Sequence, residues 1–418
     1  MRTLPALALA LLVAPVAAQQ QEPLYREVGQ DDQGLGRYKL GPVYVTPYFH
    51  IANLGVDTNV FYTATDRHAD FSILGGPGVR TAVPAGRDGR FFVDGELDYL
   101  FFLRTESQRK LTGAARGGYA FEGVRFKARA SEEFIRTFER PDTEIDERVL
   151  EDQWTTSVTL WTLVTPRLAL LPDLQYRQIR AAPDQSFAGS DLEQTLNRDE
   201  SRAMLGSETR LTPKTFAIVE GGYEGVRYPL IPTRDADSYR FDAGARVDST
   251  TRLTGRAVAG LRLVRPLSPL VTPRTYAYFD VDLRYRFAPH TLLRASFKDD
   301  VRYSSLVTVG PDALGRNQEL FLRLEKGLVA RLDLYLWGGL TWFTSDSPVV
   351  VESGGQRQVG VRDDRQGTIG ADLGYRFHNG LRAGVAVSYN DRQSSFSSFG
   401  VNGLLVGGTL NYTPGAKN

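Results

Sequence analysis

Four histidines occur in the 418 residues, at positions 50, 68, 290 and 378, and histidine is the base that most hydrolytic and acyl-transfer sites rely on. His290 and His378 fall in turn signals, His68 lies in a polar connection, and His50 sits on a strand with Tyr44, Thr46 and Tyr48. None is spaced to pair with a nucleophile and an orienting carboxylate, so no catalytic residue is predicted and His50 reads as a polar side chain on an inward strand face. The chain has no cysteine, which removes disulfides, thiolate metal sites and a lipidated cysteine anchor. Gly75-Gly76-Pro77-Gly78 lacks the Lys-Ser/Thr of a phosphate loop and reads instead as small residues where a strand bends and its neighbours approach. The acidic pairs Asp235/Asp237, Asp299/Asp300 and Asp363/Asp364 offer oxygen ligands of the kind calcium takes, but no organised ligand series accompanies them. Neither a metal nor a cofactor is expected.

The chemistry that the sequence does carry is electrostatic. Asp94, Glu96 and Asp98 occupy every second position of one segment, and Glu220 with Glu224 repeats the pattern in another. Arg125, Lys127 and Arg129 form a basic counterpart. A broader basic series follows: Arg240, Arg246, Arg252, Arg256, Arg262, Arg284, Arg286, Arg294, Lys298 and Arg302, interrupted by Asp242, Asp280, Asp282 and Asp300. Opposed charged walls around water would set up a transverse field and select polar solutes. The same residues could also pair across strands into ladders that stiffen a wall, and alternation alone leaves both readings open. Tyr276 and Tyr278, beside Arg284 and Arg286, are placed to stack on sugars if they line the lumen.

The elements that position these charges are strands. In residues 90–104 Phe91, Val93, Leu97, Tyr99 and Phe101 share one parity, opposite the carboxylates; residues 252–265 and 275–287 repeat the scheme. Turn signals punctuate the runs at Glu122-Gly123, Thr165-Pro166-Arg167, Thr212-Pro213-Lys214, Ser249-Thr250-Thr251, Ala288-Pro289-His290 and His378-Asn379-Gly380. Longer polar connections alternate with them at 140–147, 183–190, 266–273 and 345–360. Runs of a dozen residues exceed the strands of a soluble sandwich, and no stretch holds the roughly 18 apolar residues of a membrane helix. Lys plus Arg (50) balances Asp plus Glu (49), which removes the basic field of a nucleic-acid binder. The expected fold is all-β: a closed antiparallel transmembrane β-barrel of about eighteen strands, with sixteen as the alternative, short periplasmic turns and longer extracellular loops.

Residues 1–18 read as a signal peptide, with Arg2, an apolar run and Val16-Ala17-Ala18 before Gln19. Residues 19–40 read as a flexible periplasmic lead-in, too short to be a folded plug, 41–413 as the barrel and 414–418 as a tail. Leu54-Gly55-Val56-Asp57-Thr58-Asn59-Val60-Phe61, after a strand opening Gly41-Pro42-Val43, resembles the start of a family of outer-membrane β-barrel porins of Gram-negative bacteria, some encoded beside capsule or exopolysaccharide genes. Asp57 and Asn59 suit a turn out of the first strand, and Phe61 suits the outer interface. The resemblance implies a channel and an outer-membrane address, and brings no substrate.

The expected function is a non-enzymatic channel for passive passage of polar or ionic solutes in the bacterial outer membrane. A polysaccharide outlet is the alternative, and a structural or adhesive barrel with a closed lumen the second. No connection clearly exceeds about 16 residues, so a long loop folded inward as a constriction is not expected, which tilts the reading towards the outlet. Expected partners are outer-membrane lipids, the solute or polysaccharide, and the barrel-assembly machinery, here reading an internal signal at Gly408 to Tyr412 because Tyr412 is followed by Thr413. A homo-oligomer is compatible with the pattern, and nucleic acid is not a partner.

Overall fold

The computed structural model describes residues 36–248, 252–306, 314–329, 331–353 and 356–414. The expected signal peptide, most of the lead-in, the Ser249–Thr251 turn signal and nearly all of the tail lie outside the described residues. Eighteen antiparallel strands pair in chain order around a wall. They are β1 (Val43–Asp57), β2 (Asp70–Ala85), β3 (Gly89–Phe102), β4 (Lys110–Glu122), β5 (Phe126–Glu139) and β6 (Val149–Leu163). Next come β7 (Leu168–Ala181), β8 (Arg198–Thr212), β9 (Thr215–Arg227), β10 (Ala236–Val247), β11 (Leu253–Pro266) and β12 (Arg274–Ala288). The circuit finishes with β13 (Thr291–Tyr303), β14 (Leu314–Val329), β15 (Leu332–Ser345), β16 (Asp363–Arg376), β17 (Leu381–Ser394) and β18 (Val401–Tyr412).

The sheet closes because β18 pairs with β1, Tyr412 opposite Phe49 and Gly407 opposite Gly55, with a register shift between Ile51 and Leu54. Among the described residues, closure gives each of the eighteen wall strands a partner on both sides, a condition that hydrocarbon imposes. Where β18 ends, the short strand Tyr38–Leu40 continues the ladder along β1, Leu40 opposite Val43. The wall strands run from 12 to 16 residues, enough to cross a bilayer at a tilt.

Alternation assigns the two faces. Phe91, Val93, Leu97 and Tyr99 of β3, Leu261 of β11 and Val385 of β17 are exposed on the outside, whereas the carboxylates and guanidiniums of the intervening positions meet across strands within the barrel. Aromatic pairs gather outside near the short turns, as Tyr285 with Phe287 and Tyr375 with Phe377. Ion pairs such as Arg136 with Asp152 (2.6 Å) sit outside near the long loops. Short turns such as 213–214 and 289–290 share one end with the termini, and long connections such as 182–197 and 346–362 share the other, which orients the barrel with its short turns in the periplasm. A closed eighteen-strand wall, apolar outside and charged inside, places the protein in the bacterial outer membrane.

Candidate functional site

Strands β8 to β13 bring most of the basic series into contact with acids rather than with open water. Arg256 on β11 donates to Glu220 (2.6 Å) and Asp280 (3.1 Å). Arg262 donates to Asp300 (2.9 Å) and lies 2.6 Å from Glu224. Arg240 lies 3.0 Å from Asp242 and 3.3 Å from Glu224, and Arg246 makes a two-pronged pair with Glu208. Arg294 holds Asp282 at 2.7 Å, and Lys298 reaches Asp300 at 4.0 Å. Arg240, Arg256, Glu220 and Asp242 are all buried. The reason is register: like charges stand directly opposite, Glu220 facing Asp242 and Arg246 facing Arg256, so each guanidinium finds its carboxylate off that rung, often by reaching past the adjacent strand to the next one, as Arg256 on β11 does to Glu220 on β9. Carboxylates and guanidiniums stripped of water are stable only when paired this closely.

Three expectations therefore change. Glu220 and Glu224 do not face the basic series across the lumen; they lie beside it and neutralise it. Tyr278 is buried beneath Arg240, whose guanidinium lies 4.6 Å from its ring centre, so that ring is not bare for a sugar; Tyr276 is half-buried and its hydroxyl donates to Asp346. Arg125 and Arg252 stand in short periplasmic turns rather than on strands. Arg284 and Arg286 are exposed at that same end of β12. Nine strands away, half the circuit of the wall, Asp94, Glu96 and Asp98 of β3 face inward, with Asp94 held by Arg116 at 2.8 Å. Lys127 and Arg129 of β5 lie over the rings of Trp161 and Phe92. Adjacent acids split between faces: Asp300 pairs with Arg262 inside while Asp299 pairs with Arg316 outside, so the pair cannot share a calcium ion.

The extracellular mouth holds what the sequence reading missed. The connection 140–148 between β5 and β6 crosses the barrel as a strap. Glu144 is fully buried; it accepts from the Ser304 hydroxyl (2.8 Å) and the Ser305 amide (2.9 Å) beyond β13 and lies 3.6 Å from Arg302. Arg302 also donates to Thr143 (3.0 Å). Arg362 donates to the Glu144 carbonyl (3.0 Å) and to Asp364 (2.7 Å), and Arg392 of β17 donates to the Thr143 carbonyl (2.6 Å) and pairs with Asp146. At the near side Arg140 lies over the Tyr62 ring and Arg148 stands 3.5 Å from Asp57.

The titrating groups of the strap respond to this burial. Burial, and then the neighbouring Asp142 charge, raises the Glu144 pKa, whereas Arg302 and the Ser305 hydroxyl hold Asp142 below its ordinary value against the cost of its own burial. Burial raises Asp146 and Glu147, and draws Arg140 down to about 10.

Apolar side chains seal the arrangement. Ile145 packs with Val149, Ala181, Leu192 and Leu196, and Leu306, Val349, Val351, Phe396 and Phe399 form a second cluster, with Phe187 touching both. Each fully buried aliphatic side chain contributes about 1.5–3 kcal/mol, enough to hold connections that make few ladder hydrogen bonds. Connection length misled here because long arginines reach in from the far wall, so nine residues suffice to span the mouth.

The Asp57, Asn59 and Phe61 element acts at the seam. Asp57 accepts from the Asn59 amide (2.9 Å), and buried Asn59 donates to the carbonyls of Thr63 and Asn402 (both 2.9 Å), tying the first connection to β18. Phe61 is partly exposed beside His68.

No family model matches the chain, and no curated protein does. Among solved structures it is similar to OccK2 (OpdF) of Pseudomonas aeruginosa in complex with glucuronate, at 10% identity over 90% of this chain and 99% of that one, TM-score 0.48. OccAB3 of Acinetobacter baumannii matches at 12% identity over 88% and 98%, TM-score 0.43. A mutant of the ferric enterobactin receptor PfeA of Pseudomonas aeruginosa matches at 10% over 90% and 81%, TM-score 0.46. The eighteen-strand architecture rests on the chain's own ladders.

Proposed function

We propose that the protein is a passive outer-membrane channel for small polar or ionic solutes, with its extracellular mouth narrowed by the 140–148 strap. The observation that carries this reading is the strap itself, laid across the mouth of a charge-lined barrel and fastened by Arg302, Arg362 and Arg392. A mouth filled by the strap and four further connections suits a small solute better than a sugar chain, and the burial of Tyr278 withdraws one of the two rings on which a polysaccharide could stack. The packing of that mouth also favours a second reading, a barrel closed to flow that serves a structural role. Residues 1–18 are proposed to be the export signal that delivers it. Purified, folded protein in a planar bilayer should give discrete single-channel steps; their absence at every voltage would leave the closed barrel standing.

A further inference from the structure

His50, Glu96 and Asp98 come together by a device that involves the glycine-rich segment of β2. His50 and Tyr48 lie on β1 and the two carboxylates on β3, so β2 runs between them, with Gly76 opposite His50 and Gly78 opposite both Tyr48 and Glu96. A Cβ on Gly78 would meet the Tyr48 ring at 2.1 Å, and one on Gly76 would stand 3.1 Å from Asp98 Oδ1. Because those positions carry no side chain, β1 reaches over β2 to β3: His50 Nε2 lies 3.2 Å from Asp98 Oδ1, His50 Nδ1 3.8 Å from Glu96 Oε2, and the Tyr48 hydroxyl donates to Glu96 Oε2 at 2.8 Å. One donor atom from each of the three residues lies within 4.8 Å of the other two. Asp98 Oδ1 is buried and accepts no well-aligned hydrogen bond. His50, Tyr48 and Glu96 open on a cavity of about 370 Å³ that also contacts Thr46, Arg80 and Asn411. Two cations, Arg37 and Arg80, also line the cavity; Arg80 lies over the Tyr48 ring and stands in register with Asp94.

We propose that His50, Glu96 and Asp98 bind a divalent transition-metal ion within the lumen. One imidazole and two carboxylates suit zinc and its neighbours, bonds of about 2.1 Å place tetrahedral donors about 3.4 Å apart, and the cavity leaves the remaining positions to water or a passing ligand. Calcium fits less well, since it takes six to eight oxygens and no imidazole.

The test is titration of the purified, folded barrel with Zn²⁺ by calorimetry, and with Co²⁺ by absorption. One ion per chain is expected, with Zn²⁺ abolishing the Co²⁺ band. His50→Ala and Asp98→Asn should each weaken binding by about tenfold or more, and Gly78→Ala should weaken it less, through Tyr48. His68→Ala and His290→Ala should change nothing. Absent stoichiometric binding, or His50→Ala and Asp98→Asn proteins that bind as the parent does, would overturn the site. If His50→Ala loses the heat-modifiable migration of a folded barrel, the near-isosteric Asp98→Asn decides. No current is measured, so a barrel that conducts nothing yet binds Zn²⁺ leaves the site intact.

Discussion

Arg362 and Arg392 at the outer mouth and Arg284 and Arg286 at the inner one are the same side chain in one barrel, yet the first two are 0% and 2% exposed and the second two are open to water. The outer pair is engaged by the Glu144 and Thr143 carbonyls and by Asp364 and Asp146, under a lid of apolar side chains. At the inner end the turns are too short to fold over anything. What an arginine does in this lumen is decided by the connections above it and the rungs beside it. Charge at the outer mouth and in the β8 to β13 ladder is structural; charge at the periplasmic rim is free to act on ions.

That contrast breaks most sharply at the ladder. Removing one partner of a buried ion pair costs about 3–5 kcal/mol because the other charge is left without compensation. Arg256→Ala should lower barrel stability by that order, read as the shift in urea midpoint for unfolding from lipid vesicles, whereas Arg284→Ala should leave the midpoint unmoved. Equal midpoints would mean that water reaches the ladder. The next effect is on flow: replacing residues 141–147 with a short Gly-Ser linker should raise single-channel conductance several-fold. An unchanged conductance would place the constriction elsewhere than the strap.

The strands were legible because both faces announce themselves: β3 alternates Phe91, Val93, Leu97 and Tyr99 with Asp94, Glu96 and Asp98, and a period of two has one explanation when the run is this long. Register was not legible. Whether Arg256 of β11 meets Glu220 of β9 or open water depends on how the rungs of β9, β10 and β11 line up, and the charge pattern is nearly the same in either case. The strap was hidden for another reason. Asp142, Glu144 and Asp146 look like any solvated polar connection until arginines from β13, β17 and residue 362 arrive from positions some 160 to 250 residues later. The only local hint was Ile145, an apolar residue set among acids. The His50 cluster hid likewise, its members being drawn from two strands on either side of a third.

A smaller effect separates the strap from the wall by pH. A carboxyl whose pKa is raised in the docked strap takes up a proton more readily there than when released, so docking gains stability as pH falls through the raised value towards the ordinary one and loses it as pH rises. Glu144, Asp146 and Glu147 are raised, and Asp142, held low, opposes them only below its own usual range. Acidification from neutral should therefore reduce conductance and protect Arg140 and Arg148 from trypsin. Glu144→Gln, which cannot take up that proton beside Asp142, Arg302 and Arg362, should flatten the dependence. Protection that weakens as pH falls would reverse the assigned sign.

The periplasmic rim should give the smallest change. Arg284 and Arg286 are exposed, and charges in water are screened over about 10 Å at 0.1 M salt. Reversing both to Glu should move the reversal potential in a salt gradient towards cations by a modest amount, growing as salt is lowered, with no loss of stability. The growth with dilution is the diagnostic part. A shift independent of ionic strength would mean that these guanidiniums lie in the narrowest part of the path, and no shift at low salt would mean that the ions do not pass them. Either result would move the functional contrast from the two ends of the lumen to some level between them, where the ladder is already neutral.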